Sequence, residues 1–155
     1  MTSEAADFLA LEPLLVARLR AALPASVAVL TAADLGAVAE GTQPTPAVHV
    51  LYRGYAPARA GETAAMWEAL DQYWLTVVAV RNASSVVTGD AARADAGPLM
   101  AAVIAALGGY VPDLYGFKSL RLAEAPEAGY RAGFGYFPLG WRVATKVRIN
   151  ARAIS

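Results

Sequence analysis

Residues 71–82, DQYWLTVVAVRN, constrain the fold more tightly than any other stretch of the chain. Tyr73, Trp74, Thr76, Val77, Val78 and Val80 crowd together there. β-branched and aromatic side chains fit a pleated, half-buried surface, so the stretch predicts a strand. Alternation places Trp74, Thr76, Val78 and Val80 on one face and Tyr73, Leu75, Val77 and Ala79 on the other. Both faces are largely apolar, and a strand of that kind has to be covered on both. In a chain of 155 residues, one cover is expected from its own helices and the other from a second subunit.

That length predicts a single domain over residues 1–155, with the core in about 11–150 and a frayed start at 1–10. Charged residues are 17% of the chain, below the usual quarter or so, which leaves less surface obliged to face water. Cysteine is absent, so there are neither disulfides nor thiolate chemistry. No basic segment followed by an apolar core opens the sequence, so synthesis without export is expected. Net charge is zero but unevenly spread: residues before Tyr115 carry six Lys/Arg against eleven Asp/Glu, and the rest carry seven against two. The split is either incidental to a folded surface or marks an acidic and a basic face that meet head to tail.

Along the chain, Leu11, Leu14, Leu15, Leu19, Ala22 and Leu23 recur at helical spacing, with Pro13 in the first turn, Arg18 and Arg20 toward solvent, and Pro24 as the stop. Residues 26–31 read as a short strand, and Asp34 as the cap of a helical turn through Val38. Residues 41–46 (GTQPTP) read as a loop. A strand at 47–55 sets Val48, Val50 and Tyr52 against His49, Leu51 and Arg53, and a turn-rich tip follows at 56–61. The segment 66–70 either starts the long strand early or bridges into it.

After an alanine-rich connection at 83–94, Asp95 is the expected cap of a helix with Pro98 in its first turn. Leu99, Met100, Val103, Ile104 and Leu107 form its stripe, and Gly108-Gly109 its stop. Residues 96–112 carry no charge, yet the helix is too short for the roughly 20 apolar residues of a membrane span. Its opposite face, with Ala101 and Ala105, is small enough for close packing, so burial on more than one side is expected. Strands are then predicted at 118–123, at 130–137 with Gly133 and Gly135 marking a bulge or close approach, and at 141–150. In the last, Trp141, Val143, Thr145, Val147 and Ile149 face the core, while Arg142, Lys146 and Arg148 form a basic stripe.

Catalytic signatures are missing. His49 is the only histidine, which excludes a multi-histidine metal site, and on an apolar strand it reads as structural. No serine sits in a nucleophile elbow, and no carboxylates have metal-ligand spacing. Gly108-Gly109 follows a helix, whereas phosphate loops precede one. Neither an enzyme nor a cofactor is expected. The basic stripe is read as a solvated face, as a contact with an acidic protein neighbour, or as a contact with nucleic-acid backbone. Zero net charge makes dedicated DNA binding the weakest of the three.

The helix LEPLLVARLRAAL, the strand entry QPTPAVHVLYRGY, the strand YWLTVVAVRN, the helix LMAAVIAALGGY and the closing strand pair together span about 11–149. In order and texture this resembles the tail terminator proteins of Mu-like prophages. The resemblance implies a small α+β domain, a mainly antiparallel sheet packed against two principal helices. It further implies a ring, typically a hexamer, that caps the tail tube, ends its polymerisation and prepares head joining. Implied partners are other copies of the chain, the tail tube protein and the head–tail connector, with DNA only in passage and no membrane. The implied location is the bacterial host cytoplasm during assembly and then the virion tail. No family motif supplies contact residues. The assembly contacts nominated from the reading above are Arg142, Lys146, Arg148, Tyr136, Tyr73, Ala101 and Ala105. The alternatives are another head–tail joining or baseplate part, or a small-ligand domain with His49 and Tyr52 lining a pocket.

Overall fold

The computed structural model describes residues 7–32, 43–58, 66–81 and 90–150. The elements are α1 (Leu11–Ala22), β1 (Ala28–Thr31), β2 (Ala47–Pro57), β3 (Trp67–Arg81), α2 (Asp90–Leu107), β4 (Arg121–Ala123), β5 (Gly129–Arg131) and β6 (Phe134–Arg148). The six strands form one sheet in the order β1-β2-β3-β6-β4, with β5 also paired to β6. Only β1 and β2 run parallel. The arrangement is α+β, as expected. The predicted turn at Asp34 lies outside the described residues.

The long strand is the centre of the sheet. It begins at Trp67, so the segment 66–70 belongs largely to it, and it pairs with β2 on one side and along its whole length with β6 on the other. Trp74, Thr76, Val78 and Val80 are buried, as alternation requires. With Val48 and Val50 from β2 and Phe137, Leu139, Trp141 and Val143 from β6 they build the core against both helices. The indoles are satisfied inside it: Trp74 Nε1 donates to Gln72 Oε1 at 3.1 Å, and Trp141 Nε1 to Thr76 Oγ1 at 2.9 Å.

Helix α1 has no side-chain cap at Ala10, a deficit of about 1 kcal/mol. Burial of Leu11, Leu15, Val16 and Leu19, each worth about 2 kcal/mol, outweighs it. Arg18 and Arg20 are exposed but not idle. Arg18 Nε donates to the Ala106 carbonyl, one of the last carbonyls of α2 that lack a helical partner, and its guanidinium lies 4.2 Å over the Tyr110 ring. Arg20 donates to the Val29 carbonyl of β1 at 3.0 Å.

Several boundaries differ from expectation. Helix α2 starts at Asp90, so Asp95 is not its cap and Pro98 lies inside it. Proline costs its own N–H bond, here to Ala94, and its ring crowds that carbonyl, but Ala94 is exposed and water can take the carbonyl. Among the described residues α2 is buried on one side: Val103, Ala106 and Leu107 are covered, while Ala101 and Ala105 are exposed. Its stop is as predicted, with Gly109 at φ +78 and its N–H on the Leu120 carbonyl.

Gly133 marks no bulge. Ala132 and Gly133 both have positive φ, 54 and 82, and form the two-residue turn of the β5–β6 hairpin. The strands expected at 130–137 and 141–150 are one strand, β6, running through Pro138. Pro138 is tolerated because β5 covers β6 only up to Tyr136 and β4 only from Gly140, so no partner on that edge needs its N–H. Strand β4 is limited to residues 121–123, although Lys118 N still reaches the Ala144 carbonyl. Strand β2 runs on through Pro57, past the expected tip at 56.

Candidate assembly surface

Both helices pack on the same face of the sheet, so among the described residues no helix covers the other. Pairing register assembles that second face. One half is apolar, with Leu51 opposite Leu75, and Val77 between His49 and Pro138. Leu51, Leu75, Val77 and Pro138 are all only half-buried. The other half is polar. Gly54 pairs with Tyr73, Tyr73 with Arg142, and Arg142 with Arg121, giving one row across four strands, about 14 Å wide at the usual strand spacing.

A bulge in β2 sharpens this row. The register shifts between Tyr52 and Gly54, so Arg53 and Gly54 together oppose Tyr73. Gly54 at φ +134 has a backbone that other residues rarely adopt. The bulge frees Arg53 to cross two strands and donate to the Glu124 carbonyl at 2.8 Å. It also turns Tyr55 toward the other face, where its ring meets Phe8 edge-on at 5.9 Å. Beside the Arg53–Glu124 bridge, the segment leaving β4 lies close on Gly140. A Cβ there would stand 2.7 Å from the Ala123 carbonyl oxygen and nearer still to that of Glu124.

Two clefts result. The first, about 620 Å³, is lined by Arg53, Tyr73, Arg142 and residues 122–124. The second, about 700 Å³, is lined by Asp71, Lys118, Arg142 and Lys146 among others. Arg142 lines both, so the clefts adjoin at that residue and together trace a groove along β6. From Gly140 to Lys146 it runs about 20 Å at strand rise. Arg121 and Arg142, both exposed, stand directly opposite each other, an arrangement that costs stability for like charges. No carboxylate within salt-bridge distance is found for either among the described residues.

The nominated contact residues separate into groups. Tyr73 and Arg142 are neighbours in the row. Lys146 is on the same face but is held: its stem passes Gly116, and its ammonium sits 4.7 Å over Trp67 and 5.1 Å over Tyr115. Arg148 lies 5.8 Å over the same Trp67 ring. Tyr136 pairs with Ala79 at the far, apolar end of the face, and Ala101 and Ala105 are on the helix layer. Spacing along the chain does not single out Arg53, Arg121, Asp71 or Glu124. The glycine in Arg53-Gly54-Tyr55 signals a bulge, but nothing local pairs Arg121 with Arg142.

The small-ligand alternative fails on geometry. His49 and Tyr52 lie on opposite faces of β2, and His49 is buried with Nε2 3.2 Å from Gln43 Oε1. Tyr52 packs edge-on against Trp74 and Phe8. Its phenol pKa is pushed above the ordinary value, first by burial and then by Tyr55. No group of three or more potential metal ligands occurs among the described residues. No helix there is long and apolar enough to cross a membrane.

No individually curated protein matches the chain. A sequence profile described as phage tail terminator protein matches residues 4–152, nearly the full length. With that match over nearly its whole length, the chain belongs to the phage tail terminator family and is a structural component of a phage tail.

Proposed function

We propose that the protein is the tail terminator of a Mu-like phage or prophage, a single-domain ring subunit that caps the tail tube, ends its polymerisation and prepares it for head joining. The observation that carries this reading is the family match over residues 4–152. The surfaces support it. A heterologous ring needs two different patches on each subunit, because each copy meets its neighbours through unlike faces. The half-buried sheet face, with Tyr136 and Tyr73, and the uncharged helix face of Ala101 and Ala105 lie on different layers of the molecule. Arg142, Lys146 and Arg148 add charge at one end of the sheet face. DNA passes through such a ring without being held, in keeping with zero net charge.

The decisive experiment removes the protein from an assembling phage. Overlong tails in negative-stain images, restored to a single length by the chain supplied in trans, are the expected result. Tails of normal length in its absence would refute the reading. Rings of the purified protein, alone or on tube ends, test the oligomer separately.

A further inference from the structure

We propose that the groove along β6 is the docking site for an extended acidic segment, about six residues long, of another tail protein. The proposal rests on reading the chain as a tail component that meets other tail proteins. Its length follows from the groove: about 20 Å between Gly140 and Lys146 matches six residues at extended rise.

Charge determines the chemistry of the occupant. Arg142 and Arg121 are placed side by side across a strand pair without a carboxylate partner among the described residues. Like charges opposed in this way cost stability, and a carboxylate arriving beside Arg142 in the groove and Arg121 at its rim offsets that cost. Arg53 closes one end of the groove, its guanidinium fixed by the Glu124 carbonyl, and Lys118 stands near the other. Gly140 admits the backbone that makes this end wall. The Asp71 carboxylate in the groove and the aromatic Tyr73 argue for a peptide over a nucleic-acid backbone. A run of phosphates would meet Asp71 at close range, whereas an alternating peptide turns its acidic side chains to the arginines and its apolar ones to Tyr73.

The test uses the full chain and a fluorescein-labelled hexapeptide alternating glutamate and leucine. Controls are its glutamine counterpart and labelled 16-base-pair duplex and single-stranded DNA, all followed by anisotropy. The glutamate peptide is expected to bind at least about tenfold tighter than the glutamine peptide, with affinity falling as salt rises. Arg121→Gln with Arg142→Gln should cost about tenfold or more, while Arg81→Gln at the far end of β3 leaves binding unchanged. The double variant relieves like-charge repulsion, so its thermal midpoint should be equal or higher, and loss of binding cannot be put down to unfolding. Equal binding of the two peptides, binding unaffected by the double variant, or DNA bound more tightly through the same arginines would each overturn the proposal. So would loss of self-association as the only effect of the double variant, which would assign the groove to a second copy. Overlong tails on removal of the protein, together with failed peptide binding, would sink this inference and leave the terminator reading intact.

Discussion

Gly140→Ala isolates one feature of the groove. Gly140 does not adopt a left-handed backbone, so the substitution carries no dihedral penalty and acts only through the added Cβ. That atom would stand 2.7 Å from the Ala123 carbonyl oxygen and 2.8 Å from the Glu124 carbonyl carbon. Backbone cannot yield as a flexible side chain does, so the segment leaving β4 has to lift. Overpacking of this kind costs about 1–3 kcal/mol. The Arg53 bond to the Glu124 carbonyl goes with it, another ~1 kcal/mol. Against this, alanine lowers the entropy of the unfolded chain and returns about 0.4–1 kcal/mol. The net is a destabilisation of about 2 kcal/mol, or a fall in Tm of roughly 4–8 °C for a chain of this size. Gly129→Ala is the internal control, since a Cβ there meets nothing within 4 Å. Urea and thermal unfolding of both variants measure the difference. If Gly140→Ala is as stable as Gly129→Ala, the close approach at Gly140 does not hold the β4 segment and the reasoning fails.

The core and the surface can be probed in the same way. Thr76→Val is nearly isosteric and fully buried, and it takes away the acceptor of the Trp141 indole N–H. An unfolding free energy lower by about 1–3 kcal/mol is expected in urea titration, and a loss below about 0.5 kcal/mol would mean the indole finds another partner. Arg142→Glu with Lys146→Glu should weaken ring formation or tube capping and leave the circular dichroism spectrum unchanged; unchanged rings and tail lengths would count against this face. Lys146 also packs on Trp67 and Tyr115, so the single Arg142→Glu change is the cleaner probe, with the Lys146 change costing about 0.5–2 kcal/mol in stability on its own.

Much of the fold is legible without the structure because strand and helix periodicities are local. The two faces of 71–82, the stripe of α1, the Gly108-Gly109 stop and the basic side of residues 142–148 all follow from spacing along the chain. Where local signals competed, local reading failed. Asp95 and Pro98 look like a helix start, yet Ala91, Ala92, Arg93 and Ala94 are good helix formers and carry the helix back to Asp90. Pro138 and Gly140 look like a break, yet long pairing with β3 holds the strand together across them.

The opening stretch shows where that division falls. By itself the sequence determined that residues 71–82 form a strand with two largely apolar faces, because side-chain alternation depends only on neighbours in the chain. That the helices would cover one face was expected; only the tertiary structure decided which one, the face of Trp74, Thr76, Val78 and Val80, with no helix on the other among the described residues. It alone aligned Tyr73 with Arg142 and Arg142 with Arg121, shifted Arg53 by a bulge, and brought the Glu124 carbonyl over Gly140. Register between strands far apart in sequence is set by the packing of the whole sheet, and no local pattern encodes it.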